Sequence, residues 1–147
     1  MTVRVERSFV VGVDCDLVWR FISDPEKRAR AISVVSDFQL EDESGRRATW
    51  YIRLPIPFVR KTIPVRTTEL ERVSGEYVRF VGESAVLHVT GEHRLVKRED
   101  GCHLTNTFVV DGYLPGVERF FKRNLDKEFR NLEHALRVDL GTSDRHT

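Results

Sequence analysis

At 147 residues, with 40% hydrophobic and 32% charged side chains, the chain has an ordinary globular composition and enough length to bury a core. The formal net charge is +1 and acids and bases are interspersed, which argues against a nucleic-acid groove or a strongly charged partner. The first residues lack the apolar run of a signal peptide, and no stretch approaches the ~18 apolar residues of a membrane span, so a cytoplasmic location is expected.

Val3, Val5, Phe9 and Val11 alternate with Arg4, Glu6 and Ser8, the pattern of a half-buried strand. Arg7 interrupts the apolar face. Asp14 suits the cap of a short helix carrying Leu17, Val18, Trp19, Phe21 and Ile22. Asp24 and Pro25 suit the start of a second, polar helix over 26–31, expected on the surface or over one end of the core. Two cysteines, Cys15 and Cys102, leave a disulfide open; in a reducing cytoplasm two free thiols are expected instead.

Strands and turns follow. The sequence predicts a strand over 34–42, a turn at 43–46, and a strand in which Ala48, Trp50, Ile52 and Leu54 alternate with Thr49, Tyr51 and Arg53. Pro55-Ile56-Pro57-Phe58 interrupts the ladder as a greasy loop. The strand over 61–72 turns Ile63, Val65 and Thr67 inward, and Pro64 demotes its first part to an edge or a bulge. A strand over 77–81 carries Val78 and Phe80; Gly82-Glu83-Ser84 reads as a turn. Leu87, Val89, Gly91, His93 and Leu95 are in phase on the next strand, over 85–97, with Gly91 marking a bend. After a hairpin turn at 99–101, Leu104, Asn106, Phe108, Val110 and Gly112 are in phase on the strand over 102–114.

The last long stretch, 115–140, places Val117, Phe121, Leu125, Phe129, Leu132, Leu136 and Leu140 on one helical stripe. Arg119, Arg123, Asp126, Lys127, Arg130, Glu133, His134 and Arg137 lie opposite, and Asn124 and Glu128 fall on the shoulder, where a solvated rim is expected. Pro115 suits the first turn. A helix of about 25 residues is roughly 38 Å long and needs a long apolar surface to lie on. The upstream strands, joined by short turns into an antiparallel meander, provide a curved sheet for it.

This order resembles the SRPBCC superfamily, the START-like and Bet v 1-like helix-grip proteins. Its small polyketide cyclase/dehydrase and CoxG-like members are the most similar in pattern. The carriers are the first strand ending before Asp14, the block LVWRFISDPEKRA from Leu17, and the closing GVERFFKRNLDKEFRNLEHAL. The resemblance implies an α+β helix-grip fold: a curved seven-stranded antiparallel sheet wrapped around a long C-terminal helix, with two short helices after the first strand. One such domain is expected over 1–140, with a polar tail over 141–147. Relatives often carry a Trp and a Pro after the second short helix; here Ala31-Ile32-Ser33-Val34-Val35 stands there, so the cavity lid is expected to differ.

The resemblance further implies an elongated apolar cavity between sheet and helix. The residues in phase to line it are Trp50, Ile52, Ile63, Val65, Thr67, Phe80, Leu87, Val89, His93, Asn106, Phe108, Val110, Phe121, Leu125 and Phe129. Phe108 and Phe121 are expected to face each other. Polar anchors in phase are Arg7, Thr67, His93 and Asn106. Glu69 and Glu92 are candidate inward acids by register only, and Glu92 is out of phase with its neighbours Gly91 and His93. The five histidines and two cysteines show no ligand spacing, so no metal is expected, and no nucleophile or phosphate-loop motif occurs. The reading is an intracellular binding protein or carrier for a small hydrophobic or amphipathic, lipid- or polyketide-like molecule, acting without catalysis or cofactor. One alternative is a cyclase or dehydratase acting on such a molecule through His93, Asn106 or Arg7. The other is a protein-interaction module of the same fold. A packed core favours the module, a purely apolar cavity the carrier, and converging polar groups the enzyme.

Overall fold

The computed structural model describes residues 2–57 and 59–141. Phe58 of the greasy loop and residues 142–147 of the tail lie outside the described residues. Strand β1 (Thr2–Val11) leads into helices α1 (Cys15–Ile22) and α2 (Pro25–Arg30). Strands β2 (Val35–Leu40), β3 (Arg47–Ile52), β4 (Ile63–Val73), β5 (Tyr77–Glu83), β6 (Leu87–Arg98) and β7 (Gly101–Gly112) follow, and helix α3 (Val117–Asp139) ends the described fold. The strands form one antiparallel seven-stranded sheet in the order β1-β7-β6-β5-β4-β3-β2, so every hairpin neighbour in sequence is a neighbour in space and β1 closes on β7. This is the helix-grip architecture that the pattern implies.

Local chemistry explains the element ends. Asp24 caps α2 by accepting hydrogen bonds from the Glu26 and Lys27 amides at 2.9 and 3.3 Å. Pro64 pairs with Tyr51 of β3, but β5 joins β4 only from Arg66 onward. On its other side Pro64 is therefore at an edge, where a missing donor is tolerated. Gly82 and Glu83, expected in a turn, continue β5 opposite Val89 and His88. The turn begins at Ser84, whose Oγ accepts from the amides of Val86 and Leu87 at 3.1 and 3.0 Å. Helix α3 starts at Val117, just after Pro115 rather than around it, because Gly116 caps it in a left-handed conformation at φ 93°.

One further expectation is corrected. Cys15 and Cys102 are not free thiols but a disulfide, with Cα atoms 4.9 Å apart. The register pairs Val11 with Cys102, and α1 begins just beyond that strand end, so the first residue of α1 lands beside β7. At Gly91, where a bend is expected, the strand keeps its pairing with Phe80 and Phe108. A Cβ there would stand 2.4 Å from the Phe80 ring and 2.8 Å from that of Phe108, so only glycine leaves room for both rings.

The core divides into two clusters along α3. One gathers Trp50, Ile52, Val65, Phe80, Leu87, Val89, Phe108, Val110, Phe121, Leu125 and Phe129. The other gathers Val11, Val18, Phe21, Ile22, Val78, Leu95, Cys102, Leu104, Leu132 and Leu136.

Candidate ligand-binding site

The first cluster is not solid. A void of about 40 Å³ lies between sheet and helix, lined by Trp50, Ile52, Val65, Leu87, Val89, Phe108, Val110, Phe121 and Leu125 among the residues in phase. Ile32, Val34 and Val35, from the segment after α2, and Glu128 complete the wall. A smaller void of about 10 Å³ shares Ile32, Trp50, Phe108 and Glu128 with it and is closed by Arg28, Phe80, His93, Phe129 and Leu132. Ile63, Thr67 and Asn106 are buried but line neither void. Thr67 instead donates to the Ala48 carbonyl at 2.9 Å. Phe108 and Phe121 border the same void, yet the ring of α3 that Phe108 meets is Phe129, at 5.2 Å, while Phe121 lies edge-on to Phe120.

The polar residues divide sharply. Arg7 is exposed and pairs with Asp126 on α3, so it is no anchor for a buried molecule. His93 and Asn106 are fully buried and face each other across the β6–β7 register; His93 Nδ1 lies 2.7 Å from Asn106 Oδ1. The His93 ring also stacks on Phe80 at 6.2 Å and meets Phe108 edge-on at 6.1 Å. Burial first, and the positive Arg28 second, push its pKa down to about 3 against the opposing hydrogen bond with Asn106. The ring is therefore neutral at physiological pH.

Two residues outside the original set complete this layer. Arg28, on the helix expected to be a surface element, is 4% exposed. Its Nη1 donates to the Ile22 carbonyl at 2.6 Å and its Nη2 to Glu69 at 3.2 Å, and its guanidinium lies 5.3 Å over the Phe80 ring. Burial lowers its pKa, and Glu69 opposes that shift. Glu69 in turn holds Arg72 at 2.7 Å, so one inward carboxylate serves two guanidinium groups. Glu128, expected on a solvated rim, is 3% exposed. It accepts from the Ser33 amide and hydroxyl at 2.9 and 2.7 Å and from Asn131 at 2.9 Å. The inward Glu69 was the available signal for Arg28, because a buried carboxylate requires a base. Nothing in the sequence signals the pairing of Ser33 with Glu128.

The arrangement is an apolar chamber with a polar floor. In β6, His93 separates Val89 of the first cluster from Leu95 of the second; in β7, Asn106 separates Phe108 from Leu104. In α3, Glu128 falls between Leu125 and Leu132. Above the floor, Ile56 of the loop after β3 lies close to Gly116 at the start of α3.

The family model for polyketide cyclase / dehydrase and lipid transport proteins matches residues 2–137. The chain belongs to that family. Its fold recurs in solved structures of low identity. A conserved protein from Geobacillus kaustophilus is 14% identical with a TM-score of 0.76, covering 95% of each chain. A START superfamily protein from Mycobacterium smegmatis is 14% identical with a TM-score of 0.73, covering 95% of this chain and 99% of that one. The Zhui aromatase/cyclase from Streptomyces is 14% identical with a TM-score of 0.70, covering 97% of this chain and all of that one. At such identities the likeness is one of fold. No curated protein matches the chain. The family and these neighbours place the chain in the SRPBCC class, whose helix-grip fold is a ligand-binding scaffold. Among the described residues no helix is long and apolar enough to cross a membrane.

Proposed function

We propose that the protein binds and carries a small amphipathic molecule in this chamber, its apolar body against Trp50, Val89, Phe108 and Phe121 and its polar end toward Arg28 and His93. One observation carries the reading: the lining is apolar except at one end, where Arg28, His93 and Glu128 gather. Efficient acid–base catalysis needs a group whose pKa lies near the working pH. His93, at about 3, is a weak base, and Glu128 is held by three hydrogen bonds.

The chamber has to open to work. Pockets for drug-sized ligands measure about 300–1,000 Å³, far above the 40 Å³ present here. The covering elements outside the sheet ladder are Ile32–Val34 and the loop around Ile56; opening at Ile32–Val34 would have to release the two Ser33–Glu128 bonds and the bond from the Arg53 amide to the Val34 carbonyl.

The test is native mass spectrometry of the protein purified from its own cells. A co-purifying lipid-sized molecule is expected; protein that arrives empty and binds no apolar probe would overturn the reading. A second reading, cyclase or dehydratase action, is favoured by the convergence of Arg28, His93 and Glu128 on one small void. It predicts that the co-purified molecule is altered on prolonged incubation, whereas carriage predicts that it is recovered unchanged.

A further inference from the structure

Three buried polar side-chain atoms have no partner among the described residues: Arg28 Nε, His93 Nε2 and Asn106 Nδ2. A buried polar group left unmet is costly, and native structures rarely tolerate it without a ligand or an ordered water. Arg28 and His93 line the same void of about 10 Å³, roughly the space one oxygen atom requires.

The polarity of the two atoms follows from their other bonds. Asn106 offers its carbonyl oxygen to His93 Nδ1, so the single proton of the neutral ring sits on Nδ1. His93 Nε2 is then a bare lone pair, an acceptor. Arg28 Nε carries an N–H and can only donate. One unmet acceptor and one unmet donor thus belong to two residues that line a space for one small atom. A carboxylate would satisfy Arg28 but present only lone pairs to His93. A ketone would leave Nε2 unmet, and an ammonium group would face the guanidinium charge. A hydroxyl both donates and accepts through one oxygen.

We propose that the bound molecule enters with a hydroxyl foremost, seated between Arg28 Nε and His93 Nε2, where it displaces a single water that fills the seat in the empty protein. This deepens the binding reading above and rests on it.

The experiment compares three shape-matched probes, 2-naphthol, naphthalene and 2-naphthoate, by equilibrium dialysis and by quenching of Trp50, which lines both voids. The expected result is 2-naphthol binding on the order of tenfold tighter than naphthalene, the scale of one or two net hydrogen bonds. That ratio should fall to near one in Arg28→Lys, which keeps a cation for Glu69 but lacks the Nε–H, and in His93→Phe, which keeps the ring volume but lacks Nε2. If one variant fails to fold, the other decides; if both do, the wild-type ratio decides. Equal binding of 2-naphthol and naphthalene would overturn the hydroxyl seat while leaving the binding reading in place. Tightest binding of 2-naphthoate would also overturn it and indicate two donors, with the Asn106 amide reversed. If none of the three binds, the seat falls together with the binding reading.

Discussion

The two halves of helix α3 carry the same kind of apolar stripe and rest on different material. From Val117 to Phe129 the stripe lies over the cluster that contains the voids. Leu132, which also closes the smaller void from below, and Leu136 lie in the cluster that contains the disulfide and the inner face of α1. The boundary between them is the layer of Arg28, His93, Asn106 and Glu128, contributed by α2, β6, β7 and α3. Apolar periodicity alone therefore does not distinguish a wall from a core. The difference is made by polar residues at matching depth on separate elements, which stop the packed end from extending into the chamber. Side chains at the packed end should be costly to truncate, and those at the chamber should not.

The largest expected effect concerns the packed end. The disulfide links residues 87 apart, and in the chain-entropy model a loop of that length restricts the unfolded state by about 4–5 kcal/mol. Urea unfolding with and without reductant measures it. A midpoint unchanged by reductant would show that the packed end does not depend on the bond. Next, Leu136→Ala should cost about 3 kcal/mol, within the range for large-to-small core changes. Leu136 is completely buried among Val11, Val18 and Leu104 of the same cluster. A loss near zero in the same unfolding experiment would mean that this end is as loose as the chamber.

The boundary layer has a pH signature. The unfolded chain protonates His93 near its ordinary value of 6.5, whereas the folded chain resists until about 3. Below pH 6.5 the unfolded state therefore binds more protons, so stability is complete above 6.5 and falls as the pH drops toward 3. At pH 5 the loss should be about 2 kcal/mol, at roughly 1.4 kcal/mol per pH unit. The groups nearest the ring, Arg28 with its partner Glu69 and Glu128 on α3, remain in place in His93→Phe, so that variant isolates the histidine. Unfolding titrations at pH 7 and pH 5 should show a flatter dependence in His93→Phe than in the parent. Parallel curves would mean that His93 is solvated in the folded protein.

Much of the fold could be read from the sequence because it rests on local periodicities: alternation for the strands, steps of three and four for α3, Asp24 and Pro25 for the start of α2. The inward direction of His93, Asn106 and Glu69 was legible for the same reason. What could not be read was long-range. Arg28 sits among Lys27, Arg30 and Glu26 in a segment that looks like a solvated surface, and only its meeting with Glu69, 41 positions away, buries it. Glu128 looked like a rim residue because helical phase places it at the edge of the stripe; the Ser33 hydroxyl and amide 95 positions away take it inside. Composition pointed toward free thiols, and it was the β1–β7 register that brought Cys15 to Cys102.

The smallest expected change is the one that tests the chamber most directly. In a packed site, Phe→Ala costs about 3–5 kcal/mol, because the ring loses its neighbours and leaves a hole. Phe121 is 7% exposed and borders the 40 Å³ void, so part of its surface already lacks neighbours. Dispersion is lost only where partners exist, and its nearest ring partner, Phe120, is itself only partly buried. Phe121→Ala should therefore cost only about 1–2 kcal/mol, scaled down from the packed-core range. It should also enlarge the chamber and strengthen binding of naphthalene. Leu136→Ala, with a smaller side chain removed, should cost more and leave probe binding unchanged. Measuring stability and probe affinity on both variants ties the two halves together. If Phe121→Ala proves the costlier change and naphthalene binding does not rise, the first half of the stripe lies on a packed core, and the contrast between wall and core disappears.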